Sequence, residues 1–218
     1  MLTFSEENHL KSIFHLSSES ESGVSTNSIA ANLNTKASSV TEMLKKLNDK
    51  LLIVYKKYRG AQLTEKGRKT ALNIIRKHRL WEVFLVDKLN FKWDEVHDIA
   101  EQLEHIQSEK LTNELDKFLN FPTKDPHGDP IPNPAGFIKF TPKLKLSDLN
   151  IGETGKFVGV KDSSATFLKY LDKRQISLGS NIKVLHQEEF DQSLHVGLDE
   201  SNLTISIKTA SNLYITKI

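Results

Sequence analysis

The chain has 218 residues, 38% hydrophobic and 27% charged, which is enough for two or three small domains and ordinary for a soluble globular protein. It has no cysteine, which excludes disulfides, thiolate metal sites and thiol catalysis, and no apolar run of roughly 18 residues or apolar leader, so a cytoplasmic protein with no membrane span is expected. Net charge is only +2, yet residues 36–79 carry 13 Lys/Arg against three acids, and a one-sign block of that size reads as a surface for nucleic acid.

Thr3 and Glu6 have capping-box spacing, and Leu10, Ile13, Phe14 and Leu16 supply the apolar stripe of a first helix from about Phe4 to Leu16. A polar loop from Ser17 to Gly23 follows. Ser25 or Thr26 caps a short second helix holding Ile29, Ala30 and Leu33, and a turn through Lys36 leads into a third helix beginning near Ala37, which is helix-turn-helix spacing. On that third helix Val40, Met43, Leu44 and Leu47 cluster on one face. Ser38, Ser39, Thr41, Glu42, Lys45 and Lys46 remain outside, with short hydroxyls toward the N-terminus for base edges and lysines further along for phosphates. Residues 52–57 and 61–64 read as two strands whose turn carries Lys56, Lys57, Tyr58, Arg59 and Gly60. A basic hairpin directly after a recognition helix is the wing of a winged helix.

Thr64 is placed to cap a long helix from Glu65 to about Leu89, apolar almost all round at its far end, where a partner subunit is the expected cover. The next helix is expected to begin at Trp93 and carry His97, Glu101, Glu104 and His105 within an arc of roughly 100°, apart from the apolar Val96, Ile99, Ala100, Leu103 and Ile106. His78 and Glu82 stand four residues apart on the long helix. Six nitrogen and oxygen donors on two neighbouring stripes read as sites for one or two ions, and a sulfur-free set of this kind suits Mn(II), then Fe(II), then Zn(II). Another helix, from Ser108 with Leu111, Leu115, Phe118 and Leu119, completes a helical metal-binding region expected to be the dimer interface. Residues 120–142 hold all six prolines and read as an extended connector in which His127 is a loop residue. Beyond it, alternating runs at 156–160, 182–185, 203–207 and 213–218 predict a small β-barrel.

The combination Ser38-Ser-Val-Thr41, Tyr58-Arg-Gly60, Leu63-Thr-Glu-Lys-Gly67, Lys77-His-Arg-Leu80, Val96-His-Asp98, Leu103-Glu-His105 and His127-Gly-Asp-Pro-Ile-Pro132 resembles the diphtheria toxin repressor family, and within it the manganese-regulator branch. The resemblance covers roughly the whole chain. It implies a mainly α protein with a small β part: a winged helix-turn-helix (1–72), a helical metal-binding and dimerisation domain (73–142) and an SH3-like barrel (143–218). It also implies a primary metal site of Glu101, Glu104 and His105 and a second site of His78, Glu82 and His97. Iron-responsive members carry Cys where this chain has Glu101. The family completes its primary site from the first helix with Met or Asp. The matching residue here is Asn8, with Glu7 as an alternative, and an acid found in some manganese members falls on Lys11. Barrel ligands of some members fall on Ser163 and Thr166, with Asp162 as a substitute.

The expected protein is therefore a non-enzymatic, metal-dependent DNA-binding repressor of metal-uptake genes. It would act as a homodimer on an inverted-repeat operator and respond most readily to Mn(II), or else to Fe(II). The rival from a different class is a two-metal hydrolase.

Overall fold

The computed structural model describes residues 2–17, 23–57, 59–139, 141–199 and 201–218. Two compact units divide the chain. The first comprises Met1–Trp81, Ala100–Phe121 and Ile131–Ile138; the second comprises Glu82–Ile99, Pro122–Pro130 and Lys139–Ile218.

In the first unit, α1 (Phe4–Ser17) starts in a capping box, with the Thr3 N–H donating to Glu6 Oε2 (2.9 Å) and the Glu6 N–H to Thr3 Oγ1 (3.3 Å). Ser25 Oγ accepts the Ser28 N–H at 3.0 Å and starts α2 (Thr26–Asn32), after which α3 (Ala37–Asp49) begins without a side-chain cap. Strands β1 (Ile53–Lys56) and β2 (Gly60–Leu63) pair antiparallel, Ile53 opposite Leu63 and Lys56 opposite Gly60. Tyr58 lies outside the described residues. Leu10, Ile13, Ile29, Val40, Leu44, Leu47 and Ile53 form a shared core, so the apolar faces expected from spacing are the ones buried. Thr64 Oγ1 accepts the Gly67 N–H at 3.0 Å and caps α4 (Glu65–Leu89), which contributes residues up to Trp81 here and the rest to the second unit.

The expected metal-stripe helix is shorter than the residue spacing suggests. Residues 93–96 form turns and a bend, and α5 spans only His97–Leu103. Glu104 and His105 lie in the turn after it, where the Glu104 N–H still reaches Ala100 O (2.8 Å) and the Ile106 N–H closes on Leu103 O (3.2 Å). Ser108 then caps α6 (Glu109–Phe118), whose Leu111 and Phe118 are exposed, as is Phe121 just beyond.

In the second unit the strands are β3 (Leu144–Lys145), β4 (Thr154–Val160), β5 (Asn181–Gln187), β6 (Leu194–Leu198), β7 (Ser201–Ile205) and β8 (Leu213–Lys217). They form an antiparallel sheet in the order β3-β8-β4-β5-β6-β7 around Phe157, Leu168, Leu171, Val184, Val196 and Ile215. No ladder among the described residues joins β3 to β7, so this is an open SH3-like sheet and not the closed barrel expected. Two residues of β3 are all that pair at that edge. Two short helices, α7 (Ala165–Lys173) and α8 (Ile207–Ala210), interrupt what spacing alone presents as strands and loops. The proline-rich segment is anchored to this sheet. The Val160 N–H donates to His127 O (3.1 Å), and Gly128, at φ +87°, lies so close to β4 that a Cβ there would stand 2.1 Å from Val158 O.

Candidate metal centre and nucleic-acid interface

Burial of Val40, Leu44 and Leu47 turns the opposite face of α3 outward, exposing Ser38, Ser39, Glu42, Lys45 and Lys46, with Lys36 exposed just before the helix. Thr41 is half-buried and its hydroxyl donates to Ala37 O at 2.9 Å. At the hairpin, Lys56, Lys57 and Arg59 are exposed. A stripe of hydroxyls and cations on a helix followed by a cationic hairpin can meet both base edges and phosphates of a duplex.

In the first unit the expected donors do gather, but around a cation that belongs to the chain. Glu104, fully buried, receives Lys11 Nζ at 2.7 Å and 2.9 Å on its two oxygens, and His78 Nδ1 stands 2.6 Å from Oε2. Lys11 Nζ also donates to Glu101 Oε1 at 2.6 Å. His105 is turned elsewhere: Nδ1 lies 2.6 Å from Glu7 Oε2 and Nε2 is 3.9 Å from Glu104 Oε1, while its ring stacks on Phe4. Gln107 Nε2 donates to Glu7 Oε1 at 2.6 Å. Asn8 Oδ1 is buried without a hydrogen-bond partner. Burial would raise the Glu104 carboxyl; the His78 hydrogen bond and the Lys11 charge outweigh it and hold it below the usual carboxylate range. As arranged, Glu101, Glu104, His105 and Asn8 do not fit a divalent ion, because an ammonium occupies the carboxylate oxygens such an ion would need.

The second unit holds a set that does fit. Glu82, Asp125 and His127 are all buried, and each offers one donor atom within 4.8 Å of the others. Glu82 Oε2 lies 3.5 Å from His127 Nδ1, and Glu82 Oε1 lies 3.7 Å from Nδ1 of the exposed His97. His127 Nε2 donates to the Trp93 carbonyl at 2.7 Å, which fixes the ring and leaves Nδ1 facing the two carboxylates. Asp125 Oδ1 accepts the backbone N–H groups of His127 (2.8 Å) and Asp129 (2.9 Å), so the loop that positions the imidazole also aims the carboxylate. Burial opposes a charge on His127, but the apposed Glu82 and Asp125 carboxylates prevail and raise its pKa to about 9. Two carboxylates and an imidazole suit Mn(II), Fe(II) or Zn(II).

Spacing alone leaves His127 as a loop residue and gives Asp125 no role. The available signal is a His and an Asp two residues apart beside a glycine in a proline-rich stretch. Asp162, the expected substitute from the sheet, instead accepts the Ser164 N–H at 2.9 Å ahead of α7, and Ser163 and Thr166 are exposed. His78 is one turn before Glu82 on α4 and has Glu104 as its partner in the first unit.

Three family models match the chain. They are the iron dependent repressor N-terminal DNA binding domain over residues 1–61, the iron dependent repressor metal binding and dimerisation domain over 64–133, and the FeoA domain over 144–217. Among solved structures, a manganese-dependent transcriptional repressor in complex with manganese is 34% identical with a TM-score of 0.89, covering 98% of this chain and 100% of that one. Among curated proteins, the iron-dependent repressor IdeR of Mycobacterium leprae is 32% identical over 179 residues, 82% of this chain and 69% of that protein. IdeR of Mycobacterium tuberculosis is 37% identical over 126 residues, 58% of this chain, and the match spans 54% of that relative's length.

Proposed function

Because the chain belongs to the iron-dependent repressor family, the diphtheria toxin repressor family of metal-dependent regulators, we propose that it is a metal-dependent transcriptional repressor binding operator DNA as a homodimer. The observation that carries the reading is the buried Glu82–Asp125–His127 cluster, an all-oxygen-and-nitrogen donor set in a chain whose N-terminal unit exposes a basic winged helix. The sulfur-free set admits Mn(II), Fe(II) and Zn(II), and we rank Mn(II) first as the effector. That order also agrees with the manganese named for the solved relative. His97, 3.7 Å from Glu82, is the neighbouring imidazole able to extend the set. When bound, the ion supplies a fixed double positive charge among these donors.

Lys36, Ser38, Ser39, Thr41, Glu42, Lys45 and Lys46 form the reading face, and Lys56, Lys57 and Arg59 hold the flanking backbone. The exposed apolar residues Leu111, Phe118 and Phe121 support a partner copy against α6. Two such copies present two recognition helices to an inverted repeat with half-sites about 34 Å apart. The family match to DNA-binding regulators favours this reading over a two-metal hydrolase.

The test is fluorescence anisotropy with an inverted-repeat duplex, first in EDTA and then with Mn(II). Affinity is expected to rise at least about 100-fold with metal, a shift of about 3 kcal/mol. Replacing Lys45 and Lys46 by Gln is expected to lower the slope of log affinity against log salt by about 0.9 for each phosphate these lysines neutralise. Equal binding in EDTA and Mn(II) would refute the switch.

A second expectation concerns protons. His127 keeps its proton up to about pH 9 in the metal-free protein, so metal binding at neutral pH must displace it. Mn(II) affinity should therefore climb about tenfold per unit from roughly pH 6 to roughly pH 8, read by calorimetry in buffers of different ionisation enthalpy. A flat profile with no proton release would remove His127 from the ligand set.

A further inference from the structure

The cation that joins α1 to the turn after α5 is covalently part of the chain. Lys11 Nζ contacts three carboxylate oxygens from two residues, at 2.6 Å on Glu101 and at 2.7 Å and 2.9 Å on Glu104, matching the three donors of an ammonium. The pairing is largely shielded from water, with the Lys11 side chain 13% exposed and that of Glu104 fully buried. A divalent ion bound through the same carboxylates would require metal–oxygen distances of about 2.0–2.2 Å. It would therefore have to expel the ammonium. A tethered competitor is present at an effective concentration in the millimolar range, which weakens the apparent affinity for any free ion at that place.

We propose that Lys11 is a built-in cation that takes the place of a divalent ion at Glu101 and Glu104. It holds α1 to the segment after α5 without metal and confines the metal response to the Glu82–Asp125–His127 centre. The proposal rests on the reading of the protein as a metal-responsive repressor. Neighbouring contacts agree with it. Glu7 of α1 takes His105 Nδ1 and Gln107 Nε2, each at 2.6 Å, and Phe4 stacks on His105 with ring centroids 4.4 Å apart, so α1 is fastened to residues 101–107 at three points. Among the described residues no group of three His, Asp or Glu donors converges at Glu101 and Glu104, whereas two groups that include Glu82 do.

Two readouts test it on the full chain. The first is the number of Mn(II) ions per chain, by equilibrium dialysis with electron paramagnetic resonance of the free ion, for the wild type, Lys11→Met, Lys11→Gln, Glu104→Gln and Glu82→Gln. The wild type should bind no ion at Glu101 and Glu104, and either Lys11 variant should gain one ion per chain, with Asn8 Oδ1 as an added acceptor. The second readout is hydrogen exchange of α1 in EDTA, which should accelerate about tenfold in both Lys11 variants and slow again with Mn(II). The proposal is overturned if the variants gain no ion, if α1 exchanges in EDTA as slowly as in the wild type, or if wild-type protein binds an ion that Glu104→Gln removes. An unchanged ion count in Glu82→Gln, together with the gain in the Lys11 variants, would refute the Glu82 centre while leaving the role of Lys11 intact.

Discussion

Gly67→Ala is expected to destabilise the DNA-binding unit by about 3 kcal/mol or more, a drop in Tm of about 10 °C, even though alanine is the better helix former by about 1 kcal/mol. A Cβ on Gly67 would stand 1.8 Å from Leu52 O and 2.8 Å from Leu52 C. Both are backbone atoms of a buried residue whose carbonyl already accepts the Thr64 N–H at 3.0 Å and the Thr64 hydroxyl at 3.1 Å. Neither side can yield without pulling the start of α4 away from the entry to β1, which also displaces the hairpin carrying Lys56, Lys57 and Arg59. Gly179→Ala is the control: φ there is +96° with nothing within 4 Å, so strain of about 1 kcal/mol is the whole cost. Circular-dichroism melting of both variants decides the matter. A Gly67→Ala protein as stable as the wild type would contradict the backbone contact.

Glu82→Gln is expected to weaken Mn(II) binding at least about 100-fold and to abolish metal-dependent operator binding at micromolar Mn(II). Glu82 is 2% exposed and is the carboxylate facing both imidazoles, 3.5 Å from His127 and 3.7 Å from His97. The amide keeps the shape but gives up the charge that holds the His127 proton, so His127 in the variant should titrate below its wild-type value of about 9. Calorimetry gives the affinity, and NMR of the imidazole carbons gives the titration. Retained Mn(II) affinity would place the effector site elsewhere.

Local signals made most of the first unit legible. The Thr3–Glu6 box, the Ser25 and Thr64 caps and the stripe through Val40, Leu44 and Leu47 each involve residues a turn or so apart, and each is found in the fold. The expected stripe from His97 to His105 failed where helical arithmetic must fail, at a helix end. Once α5 stops at Leu103, the angular positions of Glu104 and His105 no longer follow 100° per residue. Spacing could place Glu101 and Glu104 near each other, but not the partner they share, since Lys11 is 90 residues from Glu101 in sequence. The same limit hid Asp125 and His127, which face Glu82 from a proline-rich segment held close to β4 by the Val160 N–H bond to His127 O and the close approach of Gly128. α7 did leave a trace in sequence, a Ser164 cap with Leu168 and Leu171 three apart, but nine residues between strand-like runs are easily absorbed into a β reading.

The donor set at Glu82, Asp125 and His127 has one more consequence. Carboxylates and imidazole do not climb the sulfenic and sulfinic ladder that consumes thiolates, and a chain without cysteine has no thiol to lose anywhere. With Mn(II) bound, and not the Fenton-active Fe(II), peroxide at levels that inactivate a thiolate sensor should therefore leave these side chains chemically intact. Oxygen and nitrogen ligands also hold Mn(II) less tenaciously than thiolates hold softer ions, which favours exchange with the surrounding pool. A sensor with such ligands would report present ion supply and carry no thiol-based memory of past stress.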